Sequence, residues 1–254
     1  MKKKRLLLPL LGLTALSSCA PYGQEINDKA EIQELENAVT NRMNEIQNYE
    51  AVINCTHRDN LGSISEGNVI YRVDQKNKNH YLHMSYKDNN TGKNDLDLYE
   101  VEDKDYGKVG YWENHLSDGK TDANAYYAVE YGFNFLVPSY AIGLLEYFYQ
   151  ACIPSNIEKG LSTIETPVSS KYYSKGQGNL TIEITSNEVT NNGNATYHSR
   201  VTYSDYVFES AKIENQAERG NQRISETYDI SFKEFDSPSI TLPDGWQNYF
   251  HKAA

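Results

Sequence analysis

DKAEIQELENAVTNRMNEIQNYEAVINCTH, residues 28–57, changes its hydrophobic period partway along. In its first part Ile32, Leu35, Val39, Met43 and Ile46 recur at steps of 3, 4, 4 and 3, which places them on one face of an α-helix. Asp28 with Glu31 three residues later has the pattern of an N-terminal capping box. A helix is therefore expected over residues 28–48. Its opposite side carries Glu34, Asn37, Asn41 and Glu45, so a single apolar stripe must be laid on another element. From Tyr49 the period drops to two, and Tyr49, Ala51, Ile53 and Cys55 share one face of a strand.

Outward from this switch the alternation continues. Val69, Tyr71 and Val73 mark a second strand, and Leu82, Met84 and Tyr86 a third. Residues 96–101 and 106–113 make two more. Asp88-Asn89-Asn90-Thr91-Gly92 has the chemistry of a hairpin turn between the third strand and the one over 96–101. Residues 122–151 read as helical and rich in large apolar side chains. There Phe133, Phe135, Leu136 and Val137 precede Pro138, which can open a helix because its missing N–H is not needed at that position. Tyr140, Leu144, Leu145 and Phe148 then share a face. Strands return after residue 170, with Leu180, Ile182 and Ile184, then Tyr197, Val201 and Tyr203, then 206–213. The last long strand holds Ile224, Tyr228, Ile230 and Phe232. Residues 238–243, bounded by Pro238 and Pro243, read as a short edge segment, since proline cannot donate to a ladder. With no composition break and no repeat, residues 27–254 are expected to form one α+β domain. A single curved antiparallel sheet would hold the N-terminal helix and the central helical insert on its concave side.

The chain begins MKKKRLLLPLLGLTALSSCA. A basic n-region, an apolar stretch from Leu6 to Leu16 and then Leu16-Ser17-Ser18-Cys19 resemble a secretory signal ending in a bacterial lipobox. The apolar stretch is too short to span a membrane as a helix, which takes about 20 residues. The resemblance implies cleavage after residue 18, a lipid on Cys19, and a tether over residues 19–26. The protein would then sit in the bacterial cell envelope, anchored on the extracytoplasmic side of a membrane. Residues 1–18 hold four basic and no acidic residues, so their removal takes the formal net charge from −11 to −15. A surface that acidic argues against nucleic acid as a partner and against electrostatic adhesion to anionic lipid. Tyrosine, at 21 of 254 residues, suits half-buried pleated surfaces.

The order of elements also resembles the LolA-like lipoprotein family: tether, helix with the 32-35-39-43-46 stripe, strand run, apolar helical middle, second strand run. The ending YDISFKEFDSPSITLPDGW, residues 228–246, is similar to that family's usual close. The resemblance implies an unclosed barrel with a helical lid over an apolar cavity. Some relatives carry lipid or acyl chains there. An anchored chain departs from the carriers that shuttle between membranes.

Signals for chemistry are sparse. No H-E-x-x-H, G-x-S-x-G or P-loop is present, so the chain is not expected to be an enzyme, and neither cofactor nor metal is expected. His80 and His83, three apart in a strand, should face opposite ways. The acidic run Asp95, Asp97, Glu100, Glu102, Asp103, Asp105 reads as a solvated strand face and turn. Cys55 and Cys152 remain outside the lipobox; they can pair as a disulfide outside the cytoplasm, or Cys55 can be a small buried hydrophobe. Phe133, Phe135, Leu136, Tyr140, Leu144, Leu145 and Phe148 are the candidate lining of a ligand cavity, with plain core as the competing reading. The expected function is a non-catalytic module binding an apolar ligand such as a lipid or an acyl chain. The alternative is a structural or interaction lipoprotein with a solid core.

Overall fold

The switch of period at residue 48 survives in three dimensions as the junction between a helix and the second strand of a sheet. The computed structural model describes residues 21–89, 92–116, 118–127, 153–155, 157, 168–190, 193–234 and 240–250. Among these, β1 (Gln24–Ile26) leads into α1 (Lys29–Glu45). A run of six strands follows: β2 (Asn48–Asp59), β3 (Ile64–Asp74), β4 (Asn79–Asp88), β5 (Gly92–Asp103), β6 (Gly107–His115) and β7 (Thr121–Tyr127). A second run holds β8 (Val168–Ser174), β9 (Leu180–Thr190), β10 (Gly193–Ser204), β11 (Val207–Arg219) and β12 (Gln222–Glu234). Each run is a meander, and antiparallel pairing of β12 with β2 fuses them into one sheet. Its order is β1-β8-β9-β10-β11-β12-β2-β3-β4-β5-β6-β7. Among the described residues the edges β1 and β7 do not pair with each other, so the curved sheet stays unclosed, as the resemblance implied.

Helix α1 has a geometric task. It joins β1 to β2, which lie six strand spacings apart in the sheet, a distance of about 29 Å at about 4.8 Å per spacing. Seventeen residues at about 1.5 Å each reach about 25 Å, so the helix must run across the strands and not along them. Asp28 caps it, its side chain accepting from the backbone N–H of Ala30 (2.8 Å) and Glu31 (3.3 Å). It ends at Glu45, earlier than expected, because Ile46 is already extended and Asn48 is paired with Asp74 in the ladder. Val39 and Met43 are fully buried, and Leu35 and Ile46 join them in the main core. Met43 Sδ accepts the backbone N–H of Phe208 at 3.1 Å, which pins the helix beside the start of β11.

The face under α1 is apolar from strand to strand. One cross-strand row runs through Tyr172, Ile182, Val201, Ala211, Ile230, Ile53, Val69, Met84 and Leu96 in direct register. The next row over holds Ala51, Tyr71, Leu82, Leu98 and Trp112. The opposite face carries charged residues and tyrosines, with one covered area. There Trp246, in a short 3-10 helix (Trp246–Tyr249), packs with Leu242 and Phe250 against Val109, Tyr111 and Ala125 of β6 and β7.

Two local expectations are corrected. Residues 121–127 are not the start of a helical segment; they form β7, paired with Val109–His115 of β6. Two alanines favour helix locally, but the exposed N–H and C=O groups of β6 supply a ladder that overrides that preference. Residues 240–243 are not an edge strand either. Ile240 is buried and its carbonyl accepts from Asn79 Nδ2 at 3.5 Å, while the segment leads on to the Trp246 turn.

Candidate functional site

Of the residues singled out from the sequence, Cys19, Phe133, Phe135, Leu136, Tyr140, Leu144, Leu145, Phe148 and Cys152 lie outside the described residues. Cys55 is half-buried in the middle of the sheet, on the helix face of β2. Opposite it stands Gly67, where an added Cβ would come within 2.5 Å of Cys55 Sγ; the bare backbone makes room for the sulfur. Burial pushes the Cys55 thiol above its ordinary range, so it stays protonated near neutrality and is a poor nucleophile.

Beyond Cys55 the helix face opens into a cleft of about 420 Å³ lined by Cys55, His57, Ser65, Tyr86, Asp88 and Tyr228. Its polar groups are already arranged: His57 Nδ1 lies 3.3 Å from Glu226 Oε1, and Ser65 Oγ donates to Asp88 Oδ2 at 2.7 Å. On the same face, the apolar rows end at β6 and β7 in a different manner. Trp112 Nε1, Asn114 Oδ1 and Asn124 Oδ1 are shielded from water, and none has a hydrogen-bond partner. Leu98 and Leu96 are the strand neighbours of Trp112 and Asn114, and Asn124 pairs with Trp112. Three unsatisfied polar atoms therefore stand at the margin of an apolar wall.

Two histidine–carboxylate clusters sit on the opposite face. As expected, His80 and His83 face different ways. His80 stacks on Tyr71, with Nδ1 3.2 Å from the Tyr71 hydroxyl, and burial holds its basicity below the ordinary imidazole range. His83 turns to the other side, Nδ1 3.0 Å from Asp97 Oδ1 and Nε2 3.6 Å from Asp95 Oδ1. Glu113 and His115 of β6 complete this cluster. Tyr81 donates to Asp97 Oδ1 (2.7 Å) and Tyr111 to Glu113 Oε2 (2.9 Å). Burial first, and these hydrogen bonds second, push both phenols well above their ordinary range, so both remain donors. The acidic run thus marked two members, Asp95 and Asp97. Glu113 and His115 were missed, although their spacing of two shows that they share a face. The second cluster centres on His198, Nε2 3.0 Å from Glu183 Oε1 and Nδ1 3.3 Å from Glu214 Oε2. Arg200 pairs with Glu183 at 3.0 Å and Lys212 with Glu214 at 2.8 Å, so its charges balance.

No protein-family model matches the chain, and no curated protein matches it. Among solved structures, a DUF1329 family protein from Desulfovibrio piger is similar at 7% identity, covering 82% of this chain and 95% of that one, with a TM-score of 0.27. A de novo designed transmembrane β-barrel is similar at 7% identity, covering 74% of this chain and 98% of that one, with a TM-score of 0.20. Among the described residues, no helix is long and apolar enough to cross a membrane.

Proposed function

We propose that this chain is a lipoprotein of the bacterial cell envelope, anchored through lipid on Cys19, and that its domain is a non-catalytic module holding an apolar ligand with a polar group, such as a lipid or an acyl chain. The observation that supports this reading is the way the apolar rows end. An unbroken apolar wall leads to Trp112 Nε1, Asn114 Oδ1 and Asn124 Oδ1, which are buried and unpartnered. An unpaired buried polar group costs about 1–3 kcal/mol, and native proteins leave few of them. An amphiphile whose chain lies on the wall and whose polar group meets these atoms removes that cost. The residues of 133–148 supply the rest of the lining in this proposal.

The test uses the intact chain, extracted from its membrane in mild detergent. Intact mass should show loss of residues 1–18 and a diacylglycerol adduct, both abolished by Cys19→Ala. Native mass spectrometry should show a second, non-covalent mass of several hundred daltons that organic solvent removes. Asn114→Leu and Met84→Gln should lower its occupancy without unfolding the sheet. A protein that stays empty after incubation with envelope lipids would refute ligand binding and leave an interaction role.

A further inference from the structure

Asp97 and Glu113 face each other directly across β5 and β6. Like charges in directly opposed positions destabilise a sheet. Here each carboxylate also has one oxygen occupied: Asp97 Oδ1 by the Tyr81 hydroxyl, with His83 Nδ1 close by, and Glu113 Oε2 by the Tyr111 hydroxyl. The remaining oxygens converge. Asp97 Oδ2 lies 3.5 Å and Glu113 Oε1 3.2 Å from His115 Nε2. The other nitrogen of that ring, Nδ1, lies 3.2 Å from Thr121 Oγ1, which keeps Nε2 turned toward the two carboxylates. The three donor atoms lie within 4.8 Å of one another.

The His198 cluster on the same face shows the alternative. There Arg200 and Lys212 neutralise both carboxylates. Among the described residues no lysine or arginine pairs with Asp97 or Glu113; Lys93 serves Asp95. The arrangement has what a chance acidic patch lacks: mixed nitrogen and oxygen donors, each oriented by an outer partner, and two carboxylates that no lysine or arginine among the described residues neutralises. Outer partners of this kind fix the orientation of metal ligands. Three protein ligands on a partly open face leave a coordination position for water. One imidazole and two carboxylates suit a borderline divalent ion more than the all-oxygen set that calcium takes.

We infer that Asp97, Glu113 and His115 form a binding site for a divalent transition-metal cation of the zinc class, with Tyr81, Tyr111, His83 and Thr121 as orienting partners. The site is separate from the proposed ligand wall, being on the other face of the sheet.

The experiment is a titration of the intact, chelator-stripped protein in mild detergent with Zn²⁺, and in parallel with Co²⁺. One equivalent of Zn²⁺ should bind, and Co²⁺ should give visible d–d bands that Zn²⁺ abolishes. His115→Asn and Glu113→Gln should each weaken Zn²⁺ binding by at least tenfold. Tyr111→Phe, which releases only the outer oxygen of Glu113, should weaken it by roughly 10- to 100-fold. His198→Asn should leave it unchanged. No uptake of Zn²⁺ by the wild-type chain overturns the inference, as does undiminished binding in His115→Asn and Glu113→Gln. If those variants fail to fold, the ring resonances of His115 in the wild-type chain decide: they must move on Zn²⁺ addition, and their constancy overturns the site.

Discussion

The ring of Tyr126 lies over the backbone of Gly110, its direct partner across β6 and β7, in the space that a side chain at 110 would occupy. A glycine inside a strand gives up packing, and an aromatic neighbour restores it. Burial first, and the nearby Glu100 carboxylate second, push the Tyr126 phenol well above its ordinary range. The contact ties the edge strand β7 to the sheet. Gly110→Ala should displace the ring and cost about 1–3 kcal/mol in urea unfolding. In a Tyr126→Ala background the same change should cost much less, and simple additivity of the two would show that the ring does not depend on the gap.

Met43 and Asp28 hold α1 by unequal means. Met43 is fully buried between α1 and the sheet, so Met43→Ala should cost about 2–5 kcal/mol. Asp28 contributes a cap at an exposed end, and Asp28→Ala should cost about 0.5–2 kcal/mol. Denaturant melts of the two variants should rank in that order; equal losses would mean that the helix is held by its end and not by its stripe.

Trp246 covers the opposite face at β6 and β7, in edge contact with Tyr106 at 5.1 Å between ring centres. Removing it uncovers Val109 and Ala125 without touching the main core. Hydrogen exchange on Trp246→Ala should therefore quicken in β7 and leave β9 and β10 unchanged. Uniform quickening across the sheet would contradict two separate packing clusters.

The Glu183 network sets a pH dependence. Hydrogen bonds from His198 first, then Arg200, hold the Glu183 carboxyl below its ordinary range. A carboxyl depressed in the folded state contributes stability above its unfolded pKa, about 4.3, and loses it as pH falls through the folded value. Glu183→Gln should thus cost about 1–3 kcal/mol near neutral pH, with the gap to wild type closing below about pH 4. Urea midpoints measured across that range test the sign: a gap that widens on acidification would mean the carboxylate is destabilising.

The strands were legible wherever one face is buried and the other is wet. Ile182 and Ile184, Leu82 and Met84, and Ile230 and Phe232 alternate with polar neighbours because a pleated strand turns successive side chains to opposite faces. The α1 stripe was legible for the matching reason at a period of 3.6. β7 was not, because Ala123 and Ala125 are small and carry little periodic signal; only the unpaired backbone of β6 makes a strand of them. Nothing in the local sequence around Trp246 shows that it folds back onto Val109.

Periodicity along the chain was enough to determine that this protein has a mainly antiparallel sheet and an amphipathic N-terminal helix, and which side of most strands is apolar. The acidic run marked Asp95 and Asp97 and left out Glu113 and His115. Tertiary structure decided which strands are neighbours and in what register. Ile230 meets Ile53, and Asp97 meets Glu113, only after the two meanders join and the ladders close. A slip of one residue would turn every buried side chain of a strand to water, so the register is set by the free energy of the whole buried face. The convergence of Asp97, Glu113 and His115 follows from that register, and no local pattern contains it.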